Sequence, residues 1–311
     1  MRIAFLGSSG VIGSAILNEI SASHQITKFG KGEHNDKMLD IDRPQDISVS
    51  LFQGHEALIH CAGVRDEDFL ESACKAYLKG TYASKKLFES AFDAGIRKFV
   101  YISSAHVYGS LSGTITELTP CNPVSDYAIS HYATERILTR IITKAENEAC
   151  AIILRPSSVY GMPQKLMSFS RWGLVPYKFP RLAVEDRKIR LLPGSNKIRR
   201  NFISTAAIGK HVANFLLSKN AKGLTVKNPI GSCDSTIYDV ALMCATAYSE
   251  VTQEKCLVEM PENSKDILSE IIMDFKSCDP TQYEGQDIEV YFREIIATLL
   301  VLKNQSYGHK K

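Results

Sequence analysis

Three glycines near the start of the chain have the spacing of a turn that can receive phosphate groups. Gly7, Gly10 and Gly13 follow an apolar run at 2–6 and precede a stretch at 11–20 with apolar residues at helical spacing. Such glycines permit a tight turn, a close backbone approach to a pyrophosphate and close packing of helix on strand. The helix N-terminus adds amide donors and a partial positive charge. Because strand, turn and helix are all present, the pattern predicts a dinucleotide site, with a purely structural glycine turn as the alternative.

The first half of the chain alternates short apolar runs with longer amphipathic stretches, which is typical of repeated β-α-β units. The predicted strands lie at 2–6, 25–29, 57–60, 98–102 and 151–154, with a short extra strand near 39–41, and the predicted helices lie at 11–20, 69–94 and 127–144. Right-handed crossovers place helices on both faces of such a sheet. We therefore predict an α/β fold with a doubly wound parallel sheet of Rossmann type.

After residue 161 the pattern becomes irregular, and we expect a smaller, mostly C-terminal α/β lobe that binds substrate. Predicted helices lie at 208–217, 237–248 and 287–302, and a predicted strand lies at 224–227. We expect a dinucleotide-binding domain at 1–161 plus 198–232 and a substrate-binding lobe at 162–197 plus 233–311. The substrate would lie in the cleft between them.

Composition argues against several classes of partner. The 311 residues carry a net charge of +3, which is too small to indicate nucleic-acid binding. No run of apolar residues reaches the roughly 18–20 needed to span a bilayer, and the first residues lack the apolar region of a signal peptide. The eight cysteines show no metal-ligand spacing. We expect a cytoplasmic protein with reduced thiols, no metal site, and no nucleic-acid or membrane partner.

Six further segments follow the glycine turn in a fixed order. They read HCAG at 60–63, GT at 80–81, YISSAHVYG at 101–109, LRPSSVYG at 154–161, RNF at 200–202 and NPIG at 228–231. Together with the spacing GxxGxxG, they resemble the extended short-chain dehydrogenase/reductase family, which includes NAD(P)-dependent sugar-nucleotide epimerases and dehydratases. The resemblance runs from residue 3 to about residue 235, and the rest of the chain matches poorly.

The resemblance implies a proton relay made of a tyrosine, a serine and a lysine. Tyr127 would exchange a proton with the substrate oxygen, and Ser104 would hydrogen-bond the same oxygen. In this family a lysine four residues after the tyrosine holds the nicotinamide ribose and lowers the tyrosine pKa. Such a cation is needed because an unperturbed tyrosine has a pKa of about 10.

His131 stands at the lysine position, so the usual YxxxK becomes YxxxH. The i,i+4 spacing puts His131 and Tyr127 on one helix face. His131 can bond a ribose hydroxyl and, if it were protonated, could tune Tyr127. Its ordinary pKa of about 6.5 leaves it mostly neutral at pH 7, where it would not act as an ammonium does. A second departure is Tyr77, where the family often has asparagine.

A rival register pairs Tyr132 with Arg136. It lies five positions further along the helix, which turns the side chains by roughly 140° and away from the cofactor. Pro123 and Glu135 also fit the register of Tyr127. We therefore expect Ser104, Tyr127 and His131 to be the catalytic residues.

The end of the second strand bears on the choice of dinucleotide. An acidic residue there would bond the ribose hydroxyls of NAD, but Gly30 stands in its place. Lys28 or Lys31 could meet the 2′-phosphate of NADP instead, so NADP is favoured over NAD; solvated lysines are the alternative. The expected cofactor-binding residues are Gly7, Ser9, Gly10, Val11, Ile12, Gly13, Lys28, Gly30, Lys31, Asp40, Ile41, Cys61, Ala62, Gly63, Ser103, Tyr127, His131, Pro156, Ser158 and Val159.

Arg200 matches an arginine that often meets the substrate diphosphate in sugar-nucleotide members of the family. A guanidinium suits a phosphate, although a solvated basic rim is the alternative. Where the family shows aspartates shortly afterwards, this chain has alanines at 206 and 207. His106 would share a strand face with Ser104 if that strand continues. The expected substrate-binding residues are Ser104, His106, Tyr127 and Arg200.

The resulting prediction is an NAD(P)-dependent enzyme, an epimerase or keto-sugar reductase that acts on a nucleotide-linked sugar by hydride transfer. Dehydration is less favoured, because the family's acid pair after the serine is replaced by Ala105 and His106. The alternative is a cofactor-binding but catalytically weak or silent member that acts as a sensor or partner subunit. The resemblance also implies a homodimer, in which the helices at 69–94 and 127–144 pair with their mates.

Overall fold

The computed structural model describes residues 1–261, 273–279 and 281–308. The strands are β1 (Arg2–Leu6), β2 (Gln25–Gly30), β3 (Lys37–Met38), β4 (Ala57–His60), β5 (Lys98–Ile102), β6 (Gly113–Ile115), β7 (Cys150–Leu154), β8 (Ser158–Tyr160), β9 (Lys188–Arg190), β10 (Arg199–Ser204), β11 (Gly223–Lys227), β12 (Cys233–Thr236), β13 (Leu257–Glu259) and β14 (Met273–Phe275). The helices are α1 (Val11–Ile20), α2 (Asp66–Tyr77), α3 (Ser84–Asp93), α4 (Asp126–Lys144), α5 (Val175–Asp186), α6 (Thr205–Leu217), α7 (Ile237–Thr252) and α8 (Ile288–Gly308).

A seven-stranded parallel sheet with the order β11-β7-β5-β4-β1-β2-β3 forms the centre of the molecule. On one face, Leu58 and Phe99 pack with Phe88 of α3 and Leu138 of α4. A separate core covers the other face, where β1 packs against α1 and α6. Because both faces are covered, β4 and β7 are buried along their whole length, and apart from His60 their residues are apolar. The predicted doubly wound α/β sheet is confirmed.

A smaller body lies beyond the carboxyl ends of these strands. A three-stranded sheet, β12-β10-β8, adjoins a core made by α5, α7 and α8. Tyr160, Phe202 and Phe292 are among its buried residues. Short pairs, β13 with β9 and β14 with β6, complete the architecture in the described part of the chain. Sites in this class of fold form at this same edge of the sheet.

The extra strand near 39–41 was misplaced by two residues. β3 consists of Lys37 and Met38, which pair with the last residues of β2. Leu39 then turns its side chain into the core, where it is buried. Asp40 begins a turn, because its carboxylate accepts a hydrogen bond from the amide of Asp42 at 2.8 Å. Pairing ends before the predicted strand because β2 ends at Gly30.

The predicted helix at 69–94 is three connected segments. α2 starts earlier, at Asp66, where the amide of Arg65 donates to the Asp68 carboxylate at 3.0 Å. A π-helical segment at 78–83 joins α2 to α3. Gly80 lies in this segment, and a Cβ there would approach Ser130 Oγ of α4 to 2.1 Å. The small residue thus permits α4, which carries Tyr127, to pack closely against this helix.

Candidate functional site

The glycine turn between β1 and α1 packs directly on the end of β4. Gly7 has a φ of +89°, and a Cβ there would lie 2.5 Å from the Ala62 amide nitrogen. A Cβ on Gly13 would lie 2.0 Å from the Gly7 carbonyl oxygen. Gly10 is the N-cap residue of α1 and has no side chain to cap the first amides. The turn is therefore a cradle whose backbone N–H groups can donate hydrogen bonds to an anionic ligand.

A groove of about 380 Å³ runs from this turn across the ends of β2 and β4. It is where the structure brings together many of the expected cofactor-binding residues: Gly7, Ser9, Gly30, Lys31, Ile41, Ala62 and Gly63. Phe29, Leu39, Asp42 and Lys79 also line it and were absent from the sequence prediction. The groove is thus formed by the glycine turn, the end of the second strand and the segment after β4.

The two lysines at the end of β2 both interact with carboxylates. Lys31 Nζ lies 2.9 Å from Asp40 Oδ1 and also pairs with Asp42. These partners raise the pKa of Lys31, the Asp42 hydrogen bond most strongly. Lys28 Nζ lies 3.7 Å from Asp36 Oδ1 and donates to the His34 carbonyl at 3.0 Å. Asp40, one of the expected cofactor-binding residues, is therefore engaged by Lys31.

The remaining expected cofactor residues lie around this groove or beneath the catalytic segment. Gly10, Val11, Ile12 and Gly13 form the turn and the first turn of α1. Cys61 is partly buried, and desolvation raises the pKa of its thiol. Ser103 is buried, and its hydroxyl has no hydrogen-bond partner among the described residues. Pro156 accepts a backbone hydrogen bond from Ala105 at 2.9 Å, and Ser158 and Val159 pair with β10.

The side chains of Tyr127 and Ser104 interact with each other. Ser125 caps α4 through a hydrogen bond from the Ala128 amide at 3.3 Å, which places Tyr127 in the first turn. Ser104 follows β5. Burial raises the pKa of Tyr127, whereas the Arg171 charge and a hydrogen bond with Ser104 lower it. The expected tyrosine and serine are thus brought together, and Arg171 joins them.

His131 lies beside Tyr127, with 4.5 Å between their ring centroids. Its Nδ1 shares a 2.8 Å hydrogen bond with the Tyr101 hydroxyl. A Cβ on Gly63 would lie 3.5 Å from His131 Cε1, so the histidine adjoins the cofactor groove. Burial lowers the pKa of His131 to about 3. The idea that a protonated His131 could tune Tyr127 is therefore wrong near pH 7, because burial keeps the imidazole neutral.

His106 reaches the site by a different route from the one expected. β5 ends at Ile102, and residues 105–108 form a 3₁₀ turn. The Ser104 hydroxyl accepts a hydrogen bond from the His106 amide at 3.3 Å, which stabilises this turn. The His106 ring then lies 6.1 Å from that of Tyr127. Because β5 does not continue, the prediction that His106 and Ser104 share a strand face is wrong. His106 nevertheless borders the site.

Two other expected features have defined positions. Arg200 of β10 is half-buried, and burial lowers its pKa. Its Nη1 donates to the Arg199 carbonyl at 2.8 Å, and no carboxylate pairs with it in the part of the chain that the structure describes. Tyr77, at the family's asparagine position, donates to the Asp126 carboxylate at 2.7 Å and thereby ties α2 to α4. Burial lowers the pKa of His106, and the Arg200 charge lowers it further.

Sequence reasoning missed two charged residues of this site. Arg171 acts electrostatically on both Tyr127 and His131. Asp66, the first residue of α2, opposes Arg171 by raising the pKa of Tyr127. Neither belongs to a motif, and each is at least 40 positions from Tyr127 in the chain. Only the packing of the irregular segment after residue 161 brings Arg171 into the site.

Residues 1–261, 273–279 and 281–308 contain neither a metal-binding cluster nor a helix that could span a membrane. There, no three histidine, cysteine or acidic side chains group closely enough to hold a metal ion. The helices in those ranges are also too short or too polar to cross a bilayer.

A glycine turn at the carboxyl edge of a doubly wound sheet defines a protein of the Rossmann class. The sequence profile described as the NAD dependent epimerase/dehydratase family matches residues 3–205. The chain belongs to this family.

Similar proteins include two curated relatives and a solved structure. The chain is 32% identical over 131 residues to a dTDP-D-glucose 4,6-dehydratase of Mus musculus, covering 41% of this chain and 34% of that protein. It is 26% identical over 194 residues to a UDP-glucose 4-epimerase of Vibrio cholerae, covering 57% and 58%. These matches therefore span between one third and three fifths of the relatives' lengths. The UDP-Glc/GlcNAc 4-epimerase of Campylobacter jejuni has the same fold, with a TM-score of 0.75 and 19% identity over 95% of this chain and 98% of that one.

Proposed function

We propose that this protein is an NAD(P)-dependent epimerase or keto-sugar reductase that acts on a nucleotide-linked sugar. The observation that carries the proposal is the meeting of Tyr127 with Ser104, beside His131, which adjoins Gly63 of the groove. A tyrosine and a serine in this arrangement can bind one oxygen of a sugar carbon and pass a proton to or from it. Family membership supports the same chemistry.

The cofactor would lie along the groove. Gly7 and Gly13 fit it, because any side chain at either position would overlap the backbone of the cradle. The amides of the first turn of α1 would face its phosphates, and Ala62 and Gly63 would lie along its length. His131 adjoins Gly63 and would orient the ribose as a neutral hydrogen-bonding group. When bound, the nicotinamide accepts or donates a hydride.

The proton moves through the side chains of the protein. In the oxidative direction, ionised Tyr127 takes the proton of the substrate hydroxyl while Ser104 donates a hydrogen bond to the same oxygen. In the reductive direction, neutral Tyr127 returns that proton to the alkoxide that forms. Because burial raises the pKa of Tyr127, the tyrosine is a ready acid near pH 7 and a base only where a neighbouring charge favours its ionised form.

Arg200 would hold the diphosphate of the substrate. It is a half-buried guanidinium that pairs with no carboxylate of the described residues, whereas its neighbour Arg199 lies 2.6 Å from Asp234 Oδ1. A buried cation without a carboxylate is stabilised by an anionic ligand. His106 would border the sugar at the same cleft.

The contacts of Lys31 weaken the argument that the groove prefers NADP to NAD. Lys31 is paired with two carboxylates, and one of them, Asp42, lines the groove beside it. A 2′-phosphate would therefore meet a largely neutralised lysine. We propose that the groove accepts both NAD and NADP. Fluorescence titration with NADH and NADPH would test this, and Kd values that differ by more than about 100-fold, or about 2.7 kcal/mol, would overturn it.

The test of function is a conversion assay with UDP-glucose, UDP-N-acetylglucosamine and dTDP-glucose, using wild type and Tyr127→Phe. Turnover by wild type and its loss in the variant would support the proposal. The second candidate is a cofactor-binding protein with little turnover, and the neutral His131 favours it. Bound cofactor without turnover of any of these sugar nucleotides by wild type would favour that candidate instead.

We also propose a homodimer, a two-lobed chain and a cytoplasmic location. Leu78, Tyr82 and Ile129 are exposed on the helices expected to pair with a second copy. The separate core of α5, α7 and α8 supports a substrate lobe at 162–197 plus 233–311. All eight cysteines are unbonded, as suits a reducing compartment. Light scattering of wild type and Ile129→Asp would test the dimer, and a monomeric wild type would refute it.

A further inference from the structure

We propose that Tyr101 holds His131 in the tautomer that carries its proton on Nε2, so that this nitrogen can donate a hydrogen bond to the nicotinamide ribose. This role of Tyr101 rests on the proposed function, in which His131 orients that ribose. Tyr101 is a positioning residue, because it would act on the cofactor only through His131. The observation that carries the inference is the 2.8 Å hydrogen bond between the Tyr101 hydroxyl and His131 Nδ1.

Tyr101 lies in β5, inside the parallel sheet, so the fold fixes its position. Strands β4 and β7 flank β5 and pair with Tyr101 at His60 and Ile153. The side chain of Tyr101 is buried, and the centre of its ring lies 5.5 Å from that of His60 and 6.1 Å from that of Phe88. Because these neighbours restrict the ring, its hydroxyl meets His131 of α4 at a defined point.

The two ring nitrogens of His131 have different surroundings. Nδ1 shares the hydrogen bond with Tyr101, whereas Nε2 has no hydrogen-bond partner among residues 1–261, 273–279 and 281–308. A Cβ on Gly63 would lie 3.7 Å from Nε2. Ala62 and Gly63 line the cofactor groove and also the small cavity beside His131. Nε2 is therefore the nitrogen that is left for a ligand of the groove.

The chemistry of the two groups decides which of them donates. Burial raises the pKa of Tyr101 well above its ordinary value, and burial lowers the pKa of His131 to about 3, so both are neutral near pH 7. The unprotonated nitrogen of a neutral imidazole is a good acceptor for a phenol proton. Thr134 also acts on the Tyr101 hydroxyl, but a threonine oxygen is far less basic than that nitrogen. Donation from Tyr101 to Nδ1 then places the ring proton on Nε2.

A fixed tautomer lets a neutral histidine supply one property of the lysine that the family has at this position. Every hydrogen on a lysine ammonium is a donor, so its orientation matters little. A neutral imidazole donates from one nitrogen only, and its partner at the other nitrogen sets which one. Tyr101 selects the tautomer of His131 in which the donor adjoins the groove.

The direct test reads the tautomer of His131 without substrate or cofactor. Protein labelled with ¹⁵N at histidine is studied at pH 7.5 by long-range ¹H–¹⁵N correlation NMR, which distinguishes protonated from unprotonated ring nitrogens. The signals of His131 are assigned by their loss in His131→Gln. We expect a proton on Nε2 in wild type, and in Tyr101→Phe a mixture of tautomers or a proton on Nδ1. A proton on Nδ1 in wild type would overturn the inference, as would an unchanged tautomer in Tyr101→Phe.

Tyr291→Phe is the matched control, because it also removes a buried hydroxyl that donates a hydrogen bond. The Tyr291 hydroxyl donates to the Pro176 carbonyl at 3.1 Å, in the core of α5, α7 and α8. The His131 signals of this variant should match those of wild type. If Tyr291→Phe changed the tautomer as much as Tyr101→Phe does, the Tyr101 hydroxyl would have no specific role and the inference would fall.

A binding test measures what the tautomer contributes to the cofactor site. NADH is titrated by fluorescence into wild type, Tyr101→Phe, His131→Lys and the double variant. With His131 present, Tyr101→Phe should raise the NADH dissociation constant about threefold to tenfold, as expected for the loss of one hydrogen bond. In the His131→Lys background the same change should have an effect of less than about twofold, because an ammonium has no tautomers. Equal effects in both backgrounds would mean that Tyr101 does not act through His131, and that would overturn the inference.

The two proposals fail in different ways. If wild type converts no sugar nucleotide but the tautomer and the NADH dissociation constant respond to Tyr101→Phe as described, the proposed function fails and the role of Tyr101 stands. If turnover is found and wild-type His131 carries its proton on Nδ1, the role of Tyr101 fails and the function stands.

Discussion

Substitution of His131 by glutamine should make the protein less sensitive to acid. His131 is buried, and its pKa falls from an ordinary 6.5 to about 3. Below pH 6.5, His131 therefore binds a proton in the unfolded chain but not in the folded chain. The stability contributed by the neutral form is fully present above pH 6.5 and is lost as pH falls toward 3. At pH 5 the loss from this one residue is about 2 kcal/mol relative to pH 7.5.

The assay is urea unfolding at pH 7.5 and pH 5, followed by circular dichroism. Wild type should lose at least about 2 kcal/mol more between these pH values than His131→Gln does. His34→Gln is the matched control, because the His34 side chain is exposed. His60 is also buried with its pKa lowered to about 3, so some acid sensitivity should persist in the His131 variant. If the free energy of unfolding had the same pH dependence in wild type and His131→Gln, the claim that His131 is buried in its neutral form would be refuted.

Three further predictions concern other parts of the molecule. Arg155→Met should destabilise the fold by about 3–5 kcal/mol in urea unfolding, because Glu135, which Arg155 contacts at 3.0 and 2.6 Å, would be left buried and unpaired; a loss below about 1 kcal/mol would contradict this. Gly13→Ala should weaken NADH binding at least about tenfold in fluorescence titration, because its Cβ would lie 2.0 Å from the Gly7 carbonyl oxygen. Unchanged binding would contradict the proposal that the glycine turn binds the dinucleotide. Arg200→Met should raise KM for an active sugar nucleotide about tenfold or more with kcat little changed, because a charge-assisted contact to the diphosphate is lost; an unchanged KM would remove Arg200 from the diphosphate site.

Much of the sheet could be predicted because its signal is local. Buried parallel strands require continuous apolar runs, and β1, β4 and β5 match their predicted bounds. β3 could not be placed, because its two residues pair only where β2 ends. The apolar residue next to it, Leu39, suggested a strand, but Leu39 belongs to the hydrophobic core and not to β3. The π-helical segment likewise results from close packing of Gly80 on α4.

The candidate site was predictable only where a motif carries it. The glycine turn and Ser104 lie in local patterns, so their positions follow from sequence. The state of His131 does not, because its pKa is set by burial and by contacts with residues far away in the chain. Arg171, whose charge acts on Tyr127, was missed for the same reason, since it lies in an irregular segment far from Tyr127 in the chain.

The central claim is that Tyr127 performs proton transfer beside a cofactor groove that does not depend on it. The most direct measurement compares kcat and the NADH dissociation constant of wild type and Tyr127→Phe with an active sugar nucleotide. We predict that kcat falls by about 10²–10⁴-fold, while the dissociation constant changes by less than about threefold. Turnover that survives the loss of the hydroxyl would contradict the claim, as would an equal loss of NADH binding.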